Sequence, residues 1–112
     1  MIINRILIVG YGSIGKKHLK IARQMLPKAD IRVLRHQAHR EIPHLSNGLF
    51  FNIDDAISFD PQIAVIANPS AFHVSIAMKL ASAGVHLLIE KPLSNNLTNV
   101  SKLLKVAHEN KI

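Results

Sequence analysis

Three glycines spaced as "GYGSIG" form the first pattern in the chain that indicates a specific chemistry. Gly10 permits a tight turn, Gly12 lets the backbone approach a pyrophosphate, and Gly15 lets a following helix pack close to the preceding strand. The N-terminus of that helix offers free N–H groups and a partial positive charge to the phosphates. We therefore predict dinucleotide binding here, the alternative being a glycine-rich turn that arises by chance. The predicted contacts are Gly10, Gly12, Ser13, Ile14 and Gly15.

Arg35 ends the second predicted strand and His36 follows it, at the position where a dinucleotide's ribose is recognised. A domain that binds NAD usually presents Asp or Glu there, about 20 residues beyond the loop. A carboxylate would repel the 2′-phosphate of NADP, whereas a guanidinium can pair with it and stack on the adenine. These residues favour NADP over NAD. Alternatively, Arg35 is a solvated strand end, and backbone groups hold the ribose.

The stretch "NPSAFH" follows the fourth predicted strand. Asn68 offers a side-chain amide near the expected position of the ribose or nicotinamide, and Pro69 helps to start the next helix. His73 lies in the first turn of that helix, whose dipole favours a neutral imidazole able to hydrogen-bond a cofactor or substrate. The alternative for His73 is a partly buried side chain bonded to the backbone.

The elements that position these residues alternate along the chain. Segment 36–48 shows no regular period and contains Pro43, so we interpret it as a loop. Continuous aliphatic runs, of the kind that a strand buried on both faces requires, predict strands at 5–9, 31–35, 49–51, 63–67 and 85–89. Strands alternating with helices predict an α/β fold, a doubly wound parallel sheet of five strands known as the Rossmann fold.

Four helices are expected between and after these strands. Pro27 ends the first, and Asp54 is expected to cap the second. Ser70 is expected to cap the third, and Gly84 to close it. The apolar residues that define the faces are Ile14, Ile21, Ala22 and Met25 in the first helix, Val74, Ala77, Met78 and Ala81 in the third, and Leu97, Val100, Leu103, Leu104 and Ala107 in the last.

Composition narrows the class of protein. The 112 residues suffice for one domain, residues 1–112, and contain no cysteine. We find no signal-peptide pattern and no apolar run near the ~20 residues that a membrane span needs, so we expect a cytoplasmic protein without a membrane partner.

Charge is unevenly distributed, with nine Lys and Arg against one acid in residues 1–40. This region lacks interleaved aromatic residues and any nucleic-acid motif, so a phosphate-bearing small ligand is the better interpretation than nucleic acid. A solvated basic face is the remaining alternative. His36, His39 and His44 do not predict a metal site, because their spacing is irregular and Arg35 and Arg40 oppose a cation.

The pattern resembles the Gfo/Idh/MocA oxidoreductases, named for glucose-fructose oxidoreductase and inositol dehydrogenase. The resemblance rests on "GYGSIGKKH", "NPSAFH" and "ASAGVHLLIEKPLS", the last being the most specific. It implies an N-terminal Rossmann domain that binds NAD or NADP. It also implies that Lys91 points at the substrate's reacting carbon, with Glu90 and Pro92 shaping the cofactor pocket. Arg35 and Gln62 depart from the family pattern, which often has acids at both positions.

The implied chemistry of Lys91 is a hydrogen bond to a substrate hydroxyl while hydride passes to the nicotinamide. The alternative is an exposed lysine at a strand end. Family members are typically some three times longer and have a second α/β domain that binds the sugar, sugar nucleotide or polyol. With that substrate domain absent, we expect a cofactor domain that is inactive alone and self-associates as a homo-oligomer through its edge strand, residues 85–89, or by exchanging its last helix. The other functional class is a self-standing nucleotide-binding or sensor module without catalysis.

Overall fold

The computed structural model describes residues 2–35, 41–68, 73–91 and 100–112. Within these ranges lie five strands and four helices, and each predicted strand is confirmed to within one residue at either end. None of these helices combines the length and apolar character that crossing a membrane requires. The strands are β1 (Arg5–Val9), β2 (Asp30–Leu34), β3 (Gly48–Phe50), β4 (Ile63–Ile66) and β5 (His86–Ile89). The helices are α1 (Ser13–Met25), α2 (Ile53–Ser58), α3 (His73–Ser82) and α4 (Val100–Glu109).

The strands form one parallel sheet in the spatial order β3-β2-β1-β4-β5. β1 is central, and its Leu7 lies between Arg32 of β2 and Ala64 of β4. The strand order reverses at β1, because the chain leaves it toward β2 and later returns on its other side as β4. The predicted doubly wound sheet is therefore confirmed, and its switch point lies at the carboxyl ends of β1 and β4.

Apolar side chains cover both faces of this sheet. Leu19 of α1 packs on one face, and Ala56 of α2 and Leu80 of α3 pack on the other. Through Leu103, α4 packs against Ala77 of α3 on this second face. Burial of one Leu or Ile side chain stabilises the fold by roughly 1.5–3 kcal/mol. The buried strand residues are Ile6, Ile8, Ile31, Val33 and Val65 on the α1 face, and Leu7, Val9, Leu34, Ala64 and Ile66 on the other.

The apolar stripe predicted for α1 is confirmed only at Ala22, which packs against the buried cluster on this face of the sheet. Ile14, Ile21 and Met25 are 44%, 41% and 74% exposed, respectively. The buried residues of α1 are Gly15 and Leu19. Because Gly15 has no side chain, the helix backbone comes close to the sheet there, and the residue one turn later faces the sheet as well. The larger aliphatic side chains are thereby turned toward solvent.

The cap predicted for α2 is also corrected. Asn52 caps this helix, its Oδ1 accepting a hydrogen bond from the N–H of Asp55 at 2.8 Å. Asp54 lies instead in the first helical turn, where the positive end of the helix dipole stabilises its negative charge.

The other two helices agree better with their predicted faces. Gly84 follows α3 with a φ of +79°, the conformation expected of a glycine that closes a helix. In α4, however, Leu104 is 62% exposed while its neighbour Leu103 is 3% exposed, because only Leu103 faces α3. Ser70 and Leu97 lie outside the described residues.

Gln62, which precedes β4, ties the N-terminal residues to the sheet. Its Oε1 accepts hydrogen bonds from the N–H groups of Asn4 at 2.7 Å and Arg5 at 3.0 Å, and its Nε2 donates to the carbonyl oxygen of Ile2 at 2.5 Å. A carboxylate can accept but not donate. The bond to Ile2 is therefore one that an acidic residue, ionised at this position, could not donate.

The glycine loop brings three backbone segments together at the switch point. Gly10 has a φ of +94°, and a Cβ there would lie 2.8 Å from the backbone nitrogen of Asn68, which follows β4. A Cβ on Gly15 would overlap the carbonyl oxygen of Gly10. Gly12 differs, because a Cβ there would meet no atom within 4 Å. Gly10 and Gly15 thus serve the fold, whereas the space beside Gly12 stays open.

Gly15→Ala is predicted to destabilise the fold by about 3 kcal/mol or more, because a backbone oxygen must move to admit the methyl group. Gly12→Ala is the matched control and is expected to stay within about 1 kcal/mol, since a weaker cap and a less flexible unfolded chain oppose each other. Urea unfolding measures both free energies. Equal stability of the two variants would contradict the close packing at Gly15.

The outer edge of β5 has no strand partner among the described residues, and no backbone hydrogen bond joins residues 100–112 to β5. Leu88 of this strand is 52% exposed. An unpaired edge with an apolar side chain favours pairing with another chain. Self-association through this edge stays a prediction.

We expect sedimentation velocity at rising protein concentration to show self-association, and Leu88→Lys to shift the population toward monomer because lysine on an edge strand opposes pairing. Leu104→Lys, on the exposed side of α4, is the matched control and should leave the association unchanged. A wild-type chain that stays monomeric at high concentration would overturn this prediction.

Candidate functional site

A cavity of about 650 Å³ opens at the carboxyl ends of β1, β2 and β4. This is the position at which open α/β sheets bind ligands. The residues that line it are Val9, Gly10, Tyr11, Gly12, Ser13, Ile14, Leu34, Arg35, Phe51, Asn52, Ile53, Ala67, Asn68 and Ile76. Most of the residues predicted to bind a dinucleotide therefore meet around one cavity, although they come from separate parts of the chain.

The N-terminus of α1 contributes the polar backbone of this cavity. Gly12 is the N-cap residue, with φ −79° and no side chain to accept the first N–H groups of the helix. No acidic side chain lies in the first turn. These N–H groups and the helix dipole therefore favour an anion beside Gly12, where a Cβ would meet no other atom. Gly15 lies behind the loop, against Gly10, and does not line the cavity.

Arg35 lies at the end of β2, held by a hydrogen bond from its N–H to the carbonyl oxygen of Phe50 at 3.0 Å. Its guanidinium carbon is 5.1 Å from the centre of the Tyr11 ring, and the Nζ of Lys16 is 5.3 Å from the same centre. Two cations thus lie beside one aromatic ring at the cavity. The Nε of Arg35 is buried and has no hydrogen-bond partner among the described residues.

Asn68 follows β4 and lies directly beside Gly10 of the glycine loop. Its Oδ1 is buried and, within the described part of the chain, has no hydrogen-bond donor. A buried acceptor without a donor costs about 1–3 kcal/mol, so this oxygen is suited to accept an N–H or O–H from a ligand. An orphaned acceptor and an orphaned cationic donor, Arg35, therefore lie on the wall of the same cavity.

His73 does not line the cavity. It is 2% exposed, and its Nε2 is 2.5 Å from the carbonyl oxygen of Asn68. A carbonyl only accepts, so the ring donates through Nε2. His73 thereby holds the backbone of a cavity residue, and a direct contact between His73 and a cofactor stays a prediction.

Glu90 and Lys91 follow β5, on the other side of β4 from the glycine loop. The N–H of Glu90 donates to the carbonyl oxygen of Ile66 at 3.0 Å and so continues the pairing of β5 with β4. Its Oε1 is 2.5 Å from the Nε2 of His18 in α1. This hydrogen bond is the main reason that the pKa of Glu90 lies below its ordinary value. Lys91 is exposed, and neither residue lines the cavity.

Several residues of the site were missed by sequence reasoning. The apolar and aromatic wall of the cavity is formed by Tyr11, Phe51, Ile53 and Ile76. Tyr11 stands between two glycines of the loop, and the other three lie outside the motifs. His18 was missed as well, although it ends the stretch "GYGSIGKKH". The signal that could have identified it is its spacing, since a residue three positions after Gly15 lies on the same side of the helix as that glycine.

Two predicted contacts, His36 and Pro69, lie outside the described residues, as does Pro92. Among the residues that the structure does describe, no group of three or more His, Cys, Asp or Glu side chains is placed to hold a metal ion.

The residues present fit a dinucleotide. The open space beside Gly12 and the free helix N-terminus suit a pyrophosphate, while the apolar wall at Phe51 and Ile53 suits a base. The orphaned atoms of Arg35 and Asn68 supply one donor and one acceptor for ribose or phosphate groups.

Comparison with known proteins agrees with this geometry. Residues 4–112 match the Gfo/Idh/MocA family model, described as an oxidoreductase family with an NAD-binding Rossmann fold. Human biliverdin reductase A is 24% identical over 106 residues, which cover 93% of this chain and 36% of that protein.

Solved structures show the same fold. GenD2 from gentamicin A biosynthesis, in complex with NAD, is 26% identical with a TM-score of 0.83, covering 100% of this chain and 34% of that one. The WlbA dehydrogenase of Bordetella pertussis, in complex with NADH and UDP-GlcNAcA, is 21% identical with a TM-score of 0.81, covering 99% and 36%. This chain thus spans about a third of the length of the relatives it matches. It belongs to the Gfo/Idh/MocA oxidoreductase family, and residues 4–112 form the NAD-binding Rossmann domain of that family.

Proposed function

We propose that this domain holds the dinucleotide of a dehydrogenase that acts on a hydroxyl group of a sugar, sugar nucleotide or polyol. The observation that carries the proposal is a pair of buried polar atoms on the cavity wall, Nε of Arg35 and Oδ1 of Asn68, which have no hydrogen-bond partner among the residues that the structure describes. Buried polar groups without partners are rare in folded proteins, and those on a cavity wall mark the polar contacts of a ligand.

Each part of the cavity has a separate role in this proposal. The first-turn N–H groups of α1, beginning at Ser13, bind the pyrophosphate, and Gly12 lets it approach the backbone. Arg35 binds the adenosine ribose and its 2′-phosphate, and Asn68 accepts a hydrogen bond from the nicotinamide half of the dinucleotide. The bound cofactor supplies hydride chemistry. Lys91 donates a hydrogen bond to the substrate hydroxyl and assists removal of its proton.

Arg35 supports NADP as the preferred cofactor. No ion pair to an acid involves Arg35 among the described residues. Its guanidinium carbon, at 5.1 Å, and the Nζ of Lys16, at 5.3 Å, both lie close to the centre of the Tyr11 ring. Such a pair of positive charges suits the dianionic 2′-phosphate. NAD is the alternative, and the solved GenD2 structure, which holds NAD, favours it.

The sugar class is supported by the WlbA structure, which holds UDP-GlcNAcA, while the similarity to biliverdin reductase A shows that relatives differ in substrate. A second candidate function, nucleotide binding without catalysis, is favoured by one observation. Lys91 is exposed and lies outside the cavity wall. Reading the coding sequence beyond codon 112 discriminates the two, because an in-frame continuation that begins with another aliphatic strand supports the dehydrogenase.

We expect the 112-residue chain to bind NADPH or NADH with a Kd between about 1 µM and 1 mM, and to show no turnover with sugars or polyols. Calorimetric titration measures the binding. Gly12→Ala, whose methyl group projects into the open space, should raise the Kd by about tenfold or more while the free energy of unfolding changes little. Absence of binding for both cofactors would refute the proposal.

Arg35→Asp is predicted to weaken NADPH binding and to spare or improve NADH binding. The variant loses a charge-assisted bond and repels the 2′-phosphate. The difference between the two binding free energies should therefore change by about 1.5–3 kcal/mol, which is roughly 10- to 150-fold in the ratio of the affinities. Lys28→Asp makes the same charge change on an exposed residue before β2, at the opposite edge of the sheet, and is the matched control. If both variants change the ratio equally, Arg35 has no specific contact with the phosphate.

A further inference from the structure

A hydrogen bond joins α1 to the segment that follows β5, across the central strands of the sheet. The Nε2 of His18 is 2.5 Å from the Oε1 of Glu90, although the two residues are 72 positions apart in the sequence. Their side chains are 20% and 37% exposed. An ionised carboxylate can only accept, so the Nε2 of His18 carries the proton in this contact.

Glu90 connects this contact to Lys91 in two ways. The N–H of Glu90 donates to the carbonyl oxygen of Ile66, which fixes its backbone to β4. The backbone N–H of Lys91 also lowers the pKa of this carboxylate. The residue that bonds to the imidazole of α1 is therefore also the chain neighbour of the lysine. Movement of Lys91 away from α1 pulls on the bond between His18 and Glu90.

The electrostatic surroundings of Glu90 favour its ionised form. Among the described residues, the groups that face it are the imidazole of His18 and the amine of Lys17, both from α1, and the backbone N–H of Lys91 from its own segment. The hydrogen bond from His18 is the largest cause of the lowered pKa of Glu90, ahead of the charge of Lys17. The carboxylate thus stays an acceptor over the physiological pH range.

We propose that His18 is a positioning residue, which holds the Glu90 carboxylate and through it the backbone of Lys91 in a set relation to the helix whose N-terminus faces the cofactor cavity. The chemical consequence for Lys91 rests on the function proposed above. In that function, the amine must reach the hydroxyl on the substrate carbon that lies beside the nicotinamide, and an error of about 1 Å in such a placement can cost about 100-fold in rate. A lysine on an exposed turn needs such a restraint.

The competing explanation is an ordinary surface pair. Partly exposed ion pairs contribute little to stability, and many have no measurable effect. A stability measurement alone does not separate the two explanations. The two explanations differ in whether the backbone amide of Lys91 responds to protonation of Glu90. They also differ in whether that response depends on the hydrogen-bond donor at residue 18.

Nuclear magnetic resonance can follow both groups in the full 112-residue chain. The chain has three glutamates, Glu41, Glu90 and Glu109, so ¹³C-labelled glutamate resolves the titration of Glu90. The amide of Lys91 is followed in the same samples. His18→Leu removes the donor, and His18→Gln restores an N–H at a position similar to Nε2. His108→Leu, on the exposed side of α4, is the matched control.

In the wild type, the Lys91 amide should titrate with the Glu90 carboxylate, below the ordinary pKa of glutamate. His18→Leu should move both midpoints upward, toward that ordinary pKa, and broaden or shift the Lys91 amide at neutral pH. His18→Gln should return both midpoints toward the wild type, and His108→Leu should change neither. A Glu90 midpoint that is unchanged in His18→Leu would overturn the proposal, as would a Lys91 amide that does not titrate with Glu90.

Thermal unfolding establishes that each variant is folded. Should His18→Leu fail to fold, Glu90→Gln tests the same connection, because the pH response of the Lys91 amide must then disappear while His18 is intact. Persistence of that response would contradict the proposal. Titration of the same samples with NADPH separates this inference from the function proposed above. Loss of dinucleotide binding with normal coupling of Glu90 to Lys91 refutes the function and leaves the positioning contact standing.

Discussion

The close approach of backbone atoms at the glycine loop is the constraint on which the rest of the site depends. Gly15 lies against the carbonyl oxygen of Gly10, and Gly10 lies against the backbone of Asn68, so β1, α1 and the end of β4 meet without side chains between them. This contact brings the N-terminus of α1 to the point where the strand order reverses. A larger residue at either glycine would move the helix away from the cavity that it helps to form.

The close packing of Gly15 against Gly10 also determines what the rest of α1 can contact. With Gly15 at the sheet, Leu19 is buried one turn later, and His18 comes within hydrogen-bond distance of Glu90 beyond β5. One helix thus contributes N–H groups to the cavity at its start and bonds to Glu90, the chain neighbour of Lys91, from its second turn. In the proposed function, α1 alone would position both the cofactor and Lys91.

The order of elements and the position of the cavity could be predicted from the sequence, because buried parallel strands have continuous aliphatic runs and their carboxyl ends share one edge. This is why Arg35 and Asn68, placed after separate strands, were both expected at the cavity where they are found. The face of α1 could not be predicted from periodicity, because the sheet contacts a glycine rather than the aliphatic stripe of Ile14, Ile21 and Met25. The contact of His18 with Glu90 depends on the packing of α1 against the sheet and on the register of β5, which local patterns do not contain.

The central claim is that a dinucleotide occupies the cavity between the glycine loop, Arg35 and Asn68, and amide chemical-shift mapping tests it most directly. Titration of the ¹⁵N-labelled chain with NADPH should shift the amides of residues 10–15, 35 and 67–68, and leave those at the amino edge of the sheet, such as Gln62, unchanged. Shifts confined to the basic surface of α1 at Lys17 and Lys20, or spread evenly over the chain, would contradict the account.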